Sequence, residues 1–156
     1  MSLSTDIVLD TSVLVKGFLP PLRRKRDEIY RQQLAIHLKA KELLKKAQNG
    51  EFILHEPVIA LVETSTVLWR LSKSERIVDV GVEFLETYSI FYSDVYLMDD
   101  AMKLGRDTGA SGFDVLFLAC AKRANAKLIT DDKKMYEKAL RAGIKAELLR
   151  KLTSSP

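Results

Sequence analysis

The sequence predicts an α/β fold in which helices cover both faces of a mainly parallel sheet. Short apolar runs rich in β-branched residues alternate with longer segments of helical periodicity. The first run, residues 7–9, is too short for a helix and apolar throughout, which is typical of a buried parallel strand. Hydrophobic residues make up 47% of the 156 residues, enough for one core. We therefore expect a single domain over residues 1–156, with a polar tail from about residue 151.

The first half of the chain is predicted to contain two strands and four helices. A short helix begins at about Thr11, and Pro20 and Pro21 break it. The following segments are a helix over residues 27–48, a strand over 52–54, a turn at 55–57, and helices over 58–72 and 75–88. His37 is expected on a helix surface and His55 in the turn, and neither stands in a recognisable motif.

The second half continues the alternation of strands and helices. The apolar pattern predicts a strand over residues 90–92, helices over 94–108 and 114–125, a strand over 127–130, a helix to about 142 and a last strand over 144–149. No linker, internal repeat or glycine-rich phosphate loop interrupts it, so nucleotide binding of that kind is unsupported.

Composition limits the function classes. A net charge of +4 permits a polyanionic partner without requiring one. The single cysteine, Cys120, lies in an apolar run and is expected to be a structural thiol, since one cysteine forms no internal disulfide. This usage fits a reducing cytoplasm. We find no signal peptide and no apolar run near the ~18 residues of a membrane span.

Four carboxylates stand in unusually apolar surroundings. Asp10 and Asp132 follow the first and fourth strands, Glu63 interrupts an apolar helix, and Asp114 opens another. Ligands of open α/β sheets bind outside the carboxyl ends of the strands, where Asp10 and Asp132 fall. Burying a carboxylate without a partner is costly, and few bases lie nearby in sequence. Such a group of acids indicates a metal ion.

Each acid also has a purely structural explanation. Asp10 and Asp132 are good helix N-caps. Ser111 and Asp114 have the spacing of a capping box. Glu63 could emerge on the solvent side of its helix. Each explanation suffices alone, but together they are less attractive because two of the acids end separate strands.

A carboxylate cluster of this kind suits phosphodiester hydrolysis. Mg²⁺ and Mn²⁺ prefer oxygen ligands, and two such ions about 3.5–4 Å apart activate water and stabilise a leaving oxygen. Thr11, Ser12 and Thr130 offer hydroxyls to the acids. A run of charges alone is more often a solvated loop. In a nuclease, however, the phosphates of the substrate would be contacted by nearby basic side chains, which here are Lys16, Arg23, Arg24, Lys25 and Arg26.

The order of these motifs resembles the PIN-domain nucleases. The matching pieces are residues 7–14, Glu63, residues 113–119 and residues 128–132. The resemblance implies a three-layer α/β/α sandwich with a five-stranded parallel sheet in the order 3-2-1-4-5. It also implies an Mg²⁺- or Mn²⁺-dependent ribonuclease. The family's acidic positions fall on Asp10, Glu63, Asp114 and Asp132, and its hydroxyl position falls on Thr130, which selects Asp132 over Asp131.

Within that family, the size of the chain resembles the VapC-type toxins of toxin–antitoxin pairs. Those proteins are homodimers that a small antitoxin neutralises, in some cases by placing a basic side chain in the acidic pocket. This chain differs in a longer basic stretch between residues 20 and 49. Apolar helix positions that would form a dimer interface, or only core, are Leu34, Ile36, Trp69 and Val82.

Other activities fit the motifs less well. A dehalogenase-type phosphotransferase needs a second aspartate where Ser12 stands. A receiver-type domain needs paired acids at the first strand, and only Asp10 is there, although Asp94 could follow the third strand. Two alternatives stay open: a catalytically inactive PIN-like module that binds RNA or protein, and an RNA-processing nuclease outside any toxin–antitoxin pair.

Overall fold

The centre of the molecule is a five-stranded sheet. The structure, a computed structural model, describes residues 5–153. The strands lie in the order β3-β2-β1-β4-β5, and all four pairings are parallel. They are β1 (Thr5–Leu9), β2 (Phe52–Pro57), β3 (Ser89–Tyr92), β4 (Lys127–Thr130) and β5 (Ala146–Leu148). The predicted fold class and strand order are confirmed.

The helices form two groups. The first comprises α1 (Thr11–Phe18), α2 (Glu28–Gln48), α3 (Ile59–Ser72) and α4 (Glu75–Tyr88), and here α1 contacts the other three. The second comprises α5 (Asp94–Thr108), α6 (Asp114–Ala124) and α7 (Lys133–Arg141), in which α5 contacts both others. A 3-10 turn, Leu149–Lys151, follows β5. Since β1 is the middle strand, Ile7, Val8 and Leu9 are completely buried.

Local sequence explains most helix boundaries. Asp27, Ser74 and Ser93 each accept a hydrogen bond from a main-chain N–H in the first turn of α2, α4 and α5. Gly109 ends α5 with a φ of +75°, a left-handed conformation that glycine adopts without strain. The boundaries of these three helices agree with the predicted ones to within one residue.

The prediction for residues 55–57 was wrong. They continue β2 instead of forming a turn, and Pro57 ends that strand rather than starting a helix. The reason is tertiary: pairing with β3 extends from Leu54 opposite Ser89 to Pro57 opposite Tyr92. That pairing overrides the polar His-Glu pair that suggested a turn. The last strand is shorter than predicted, and α3 begins at Ile59.

Both histidines are buried, in contrast to the predictions for them. His37 on α2 donates a hydrogen bond from Nδ1 to the main-chain oxygen of Lys16 at 2.6 Å. His55 on β2 lies between the carboxylate of Asp6 (2.8 Å) and the hydroxyl of Tyr92 (2.9 Å). His37 therefore ties α1 to α2, and His55 links three neighbouring strands.

Two expectations from composition concern the cysteine and membrane-spanning helices. Cys120 is completely buried in α6, and burial raises the pKa of its thiol, as expected of a structural cysteine. Among the described helices, none combines the length and apolarity needed to cross a bilayer.

Close packing of α1 on α2 leads to a test at Gly17. A Cβ there would lie 2.5 Å from Leu44 Cδ1 and 3.4 Å from the main-chain oxygen of Ala40. We expect Gly17→Ala to lower the free energy of unfolding by about 1–3 kcal/mol. The matched control is Gly105→Ala in α5, where the nearest atom would be 3.5 Å away. That substitution should be neutral or stabilising by up to about 1 kcal/mol. Urea titrations giving the same loss for both variants would contradict this account.

Candidate functional site

A cavity of about 840 Å³ lies at the carboxyl ends of β1 and β4. All four acids singled out in the sequence line it, and they come from four places in the fold. Asp10 follows β1, Glu63 lies on α3, Asp114 begins α6, and Asp132 follows β4. Folding thus brings residues up to 122 positions apart in sequence to one cavity.

Asp10 is the most deeply buried of the four acids, with 6% of its surface exposed. Its Oδ1 accepts hydrogen bonds from the hydroxyl of Ser12 (2.5 Å) and the N–H of Val13 (3.2 Å), and Oδ2 accepts one from the hydroxyl of Thr130. Burial raises the pKa of Asp10 from 3.8 to about 6 against these hydrogen bonds, and the charge of Asp114 adds to the rise. Asp10 therefore caps α1 and also carries a costly charge at the cavity.

Asp132 and Asp114 are more exposed. Asp132 caps α7, where its Oδ1 accepts hydrogen bonds from the N–H groups of Lys134 (2.8 Å) and Met135 (3.3 Å). Partial removal from water raises the pKa of Asp114, the charge of Asp132 adds to the rise, and Lys138 opposes it. The predicted capping box is absent, since Phe113 is the N-cap of α6 and makes no side-chain cap. Capping thus accounts for Asp132 but not for Asp114.

The four acids differ from Asp131 in how their charges are paired in the described part of the chain. Glu63 is half-buried and faces the cavity instead of open solvent. Within residues 5–153, none of the four forms an ion pair. Asp131, by contrast, binds both Lys16 and Arg150. The cavity therefore collects negative charge that the described part of the protein does not neutralise.

The structure brings only part of the predicted basic patch to the cavity. Lys16 and Arg23 line it, whereas Arg24, Lys25 and Arg26 are exposed elsewhere. The guanidinium of Arg23 is bound to Asp27 at 2.9 and 2.5 Å. That of Arg26 lies 4.1 Å from the ring centre of Tyr30. Much of the remaining wall is apolar: Val15, Leu19, Pro20, Pro21, Leu22, Ile29, Ile36, Val67, Leu71 and Phe117.

Sequence reasoning missed Glu56. This residue of β2 is completely buried, and its Oε1 accepts a hydrogen bond from the N–H of Leu9 at 2.9 Å. Burial raises its pKa well above the ordinary value, and the nearby charge of Asp10 contributes. Glu56 would have been recognised if residues 55–57 had been assigned to the strand, because Leu54 and Glu56 then share one buried face.

The donor chemistry of the cavity fits Mg²⁺ or Mn²⁺. No group of three or more His, Cys, Asp or Glu side chains in residues 5–153 forms a ready-made metal cage. Mg²⁺ usually keeps several waters and uses only one or two carboxylates. The cavity offers carboxylate and hydroxyl oxygens. Burial raises the pKa of Asp10 and Asp114, and the charge of a neighbouring acid adds to each rise. A hard divalent cation would relieve the repulsion between these acids.

Comparison with known families agrees with the fold. A model of the PIN domain matches residues 7–140. The chain belongs to the PIN domain family. PIN domains are typically nucleases that use Mg²⁺ or Mn²⁺. The matched range begins within β1, ends within α7 and includes all four acids.

Solved structures share the PIN fold with this chain. The structure of PAE2754 from Pyrobaculum aerophilum is 16% identical, covers 88% of this chain and 87% of its own, and gives a TM-score of 0.56. The structure of FitAcB from Neisseria gonorrhoeae is 16% identical, covers 94% of this chain and 99% of its own, and gives 0.54. No curated protein matches the chain. These likenesses concern the fold alone.

The burial of Asp10 predicts a pH-dependent effect of Asp10→Asn in metal-free buffer. The pKa in the folded protein, about 6, exceeds the ordinary 3.8, so the folded state binds the extra proton and the parent loses stability as pH rises between these values. The variant has no such loss. Relative to the parent, its free energy of unfolding should therefore rise by about 2 kcal/mol between pH 4 and pH 7.

Urea titrations at several pH values measure this difference. The matched control is Asp99→Asn, which removes an exposed carboxylate of α5 and should give a curve parallel to that of the parent. A curve for Asp10→Asn that is also parallel to the parent's would contradict the assigned burial cost.

Proposed function

We propose that this PIN domain is an Mg²⁺- or Mn²⁺-dependent endoribonuclease. One observation carries the proposal: four carboxylates from separate elements line a single cavity without an ion pair in the described residues. The resemblance to PIN-domain nucleases supports the substrate class and the reaction. In this proposal residues 1–156 act as one domain.

Each acid has a defined part in the proposal. Asp10 and Asp132 are the principal metal ligands, and Asp114 and Glu63 complete the pocket directly or through water. When bound, the cation supplies a Lewis acid for the phosphoryl oxygen and lowers the pKa of an attacking water. Asp10 keeps its orientation because the hydroxyls of Ser12 and Thr130 hold its two oxygens.

Thr130 also connects the two strand ends. Its hydroxyl donates to Asp10 and accepts a hydrogen bond from the N–H of Asp132 at 3.0 Å. This contact sets the separation of the two principal acids without itself touching substrate. Contacts to the phosphates of the RNA come from Lys16 and Arg23 at the cavity, with Arg24, Lys25 and Arg26 farther out.

Cleavage of single-stranded RNA tests the enzymatic proposal. Losing a metal ligand removes several kcal/mol of transition-state stabilisation, so Asp10→Asn should lower the cleavage rate at least about 100-fold. Asp99→Asn should cut at the parental rate, and EDTA should stop the parent. Equal rates for Asp10→Asn and the parent, or cleavage that EDTA leaves unchanged, would contradict the site. RNA binding without any cleavage would favour the inactive binding module.

We further propose that the chain is the cytoplasmic toxin of a toxin–antitoxin pair and forms a homodimer. The acids without ion pairs would accept a basic side chain of a small antitoxin. The exposed Trp69, and the half-buried Leu34, Ile36 and Val82, are candidates for the dimer interface. An RNA-processing role outside such a pair would leave the chemistry of the cavity unchanged.

Induced expression in a bacterial host distinguishes these roles. As a toxin, the parent should arrest growth, whereas Asp10→Asn made at the same level should not. Normal growth under both would contradict the toxin role while leaving the nuclease proposal intact. Light scattering on the same preparations tests the dimer, which a monomeric mass at micromolar concentration would contradict.

A further inference from the structure

The rim of the cavity holds a second cluster of charges, which contains none of the four acids. Asp131 has only 1% of its side chain exposed and binds two cations. Arg150 approaches with two nitrogens, Nε at 3.0 Å from Oδ1 and Nη2 at 2.9 Å from Oδ2, and Lys16 Nζ also binds Oδ2. Lys16 and Arg150 both line the cavity, and we call them the cation pair.

The cation pair retains positive charge and N–H donors that are available to a ligand. Both cations bind the same carboxylate, so two positive charges against one negative charge leave a net charge of +1. An ammonium has three N–H donors and a guanidinium five, so this contact leaves several unused. Both side chains are about half exposed, at 43% for Lys16 and 55% for Arg150.

Other contacts fix the cation pair in place. On α2, His37 donates to the main-chain oxygen of Lys16 (2.6 Å) and Lys39 to that of Arg150 (2.8 Å). Asp131 is anchored through its own N–H, which donates to Ser12 Oγ at 3.1 Å. The hydroxyl of Ser12 in turn donates to Asp10. Asp131, which binds the cation pair, is thus connected to the deepest of the four acids through two successive hydrogen bonds.

We propose that Lys16 and Arg150 form a phosphate-binding subsite that Asp131 positions, and that it binds the backbone phosphodiester next to the one cleaved at the four acids. The ligand class rests on the proposed nuclease function. A polyanion entering a negatively charged cavity needs cations beside the acids, and a guanidinium gives phosphate oxygens paired donors in a fixed geometry. Arg150 and Lys16 bind the substrate, whereas Asp131 is a positioning residue.

Binding of a short fluorescent, single-stranded oligoribonucleotide tests the subsite. Anisotropy is measured over a series of KCl concentrations in EDTA, where no cleavage occurs. Lys16→Met and Arg150→Gln should each weaken binding several-fold and reduce the slope of log K against log salt by about 0.7, the value for one lost phosphate contact on a single strand. Oligonucleotides with and without a 5′-phosphate should bind alike, since the proposed ligand is an internal phosphodiester.

Matched controls are available on the surface. Lys145→Met and Arg76→Gln remove exposed cations that do not line the cavity, and they should bind like the parent. If Lys16→Met and Arg150→Gln gave the same curves as these controls, or if the parent bound no RNA, the subsite would be ruled out. A dependence of binding on the 5′-phosphate would assign the cation pair to a chain end instead.

Asp131→Asn tests the positioning role. The variant keeps both cations and gains net positive charge, so RNA should bind at least as tightly as to the parent. With the cation pair no longer held in place, we expect kcat for cleavage to fall about 10-fold while KM does not rise. A merely structural Asp131 would lower thermal stability without this split. If kcat matched the parent's, the positioning role would be wrong.

The two proposals fail separately. If Asp10→Asn abolishes cleavage while Lys16→Met and Arg150→Gln behave like the surface controls, the nuclease stands and the subsite falls. If the parent never cleaves RNA but the same two variants lose salt-dependent binding, the subsite stands and the nuclease falls.

Discussion

The structure depends on an ionisable carboxylate buried at the end of its central strand. Asp10 follows β1, where only 6% of its surface meets solvent, and three donors hold it: Ser12, Val13 and Thr130. These contacts start α1 and join β1 to β4. Because Thr130 also accepts a hydrogen bond from the N–H of Asp132, the arrangement of two acids follows from one hydroxyl. The geometry of the cavity therefore depends on the hydrogen bonds that hold the carboxylate of Asp10.

Placing unpaired charges in a cavity costs stability. Natural proteins accept such a cost where function requires it. Here the contrast lies within two consecutive residues, since Asp131 is neutralised by Lys16 and Arg150 whereas Asp132 forms no ion pair in the described chain. Burial likewise raises the pKa of Glu56, whose Oε1 accepts a hydrogen bond from the N–H of Leu9, next to Asp10. At the rim of the cavity the charge of Asp131 is thus paired, whereas the four acids inside the cavity form no ion pair with the described residues.

Apolar runs and strand ends are local signals, so they were sufficient to predict the fold class and to place Asp10 and Asp132 at one edge of the sheet. The resemblance to PIN domains supplied the strand order and the set of four acids. The cluster at the rim was not predictable, since Arg150 reaches Asp131 only after β5 packs beside β4. The ion pair of Arg23 with Asp27 was not predicted either, because it depends on the geometry of the loop before α2. His55 and Glu56 resembled a turn, and only pairing with β3 shows why a strand tolerates them. Signals that depend on long-range contacts are absent from a single sequence.

The most direct test of the central claim is calorimetric titration of Mn²⁺ into the parent and into Asp10→Asn, with Asp99→Asn as the control. If the uncompensated carboxylates form a metal site, the parent and the control should bind Mn²⁺ alike. Replacing Asp10 should then weaken binding at least about 10-fold, as the loss of a ligand to a divalent cation predicts. Equal binding by all three proteins, or no binding by the parent with or without RNA, would mean that the acids serve only as helix caps and surface charges.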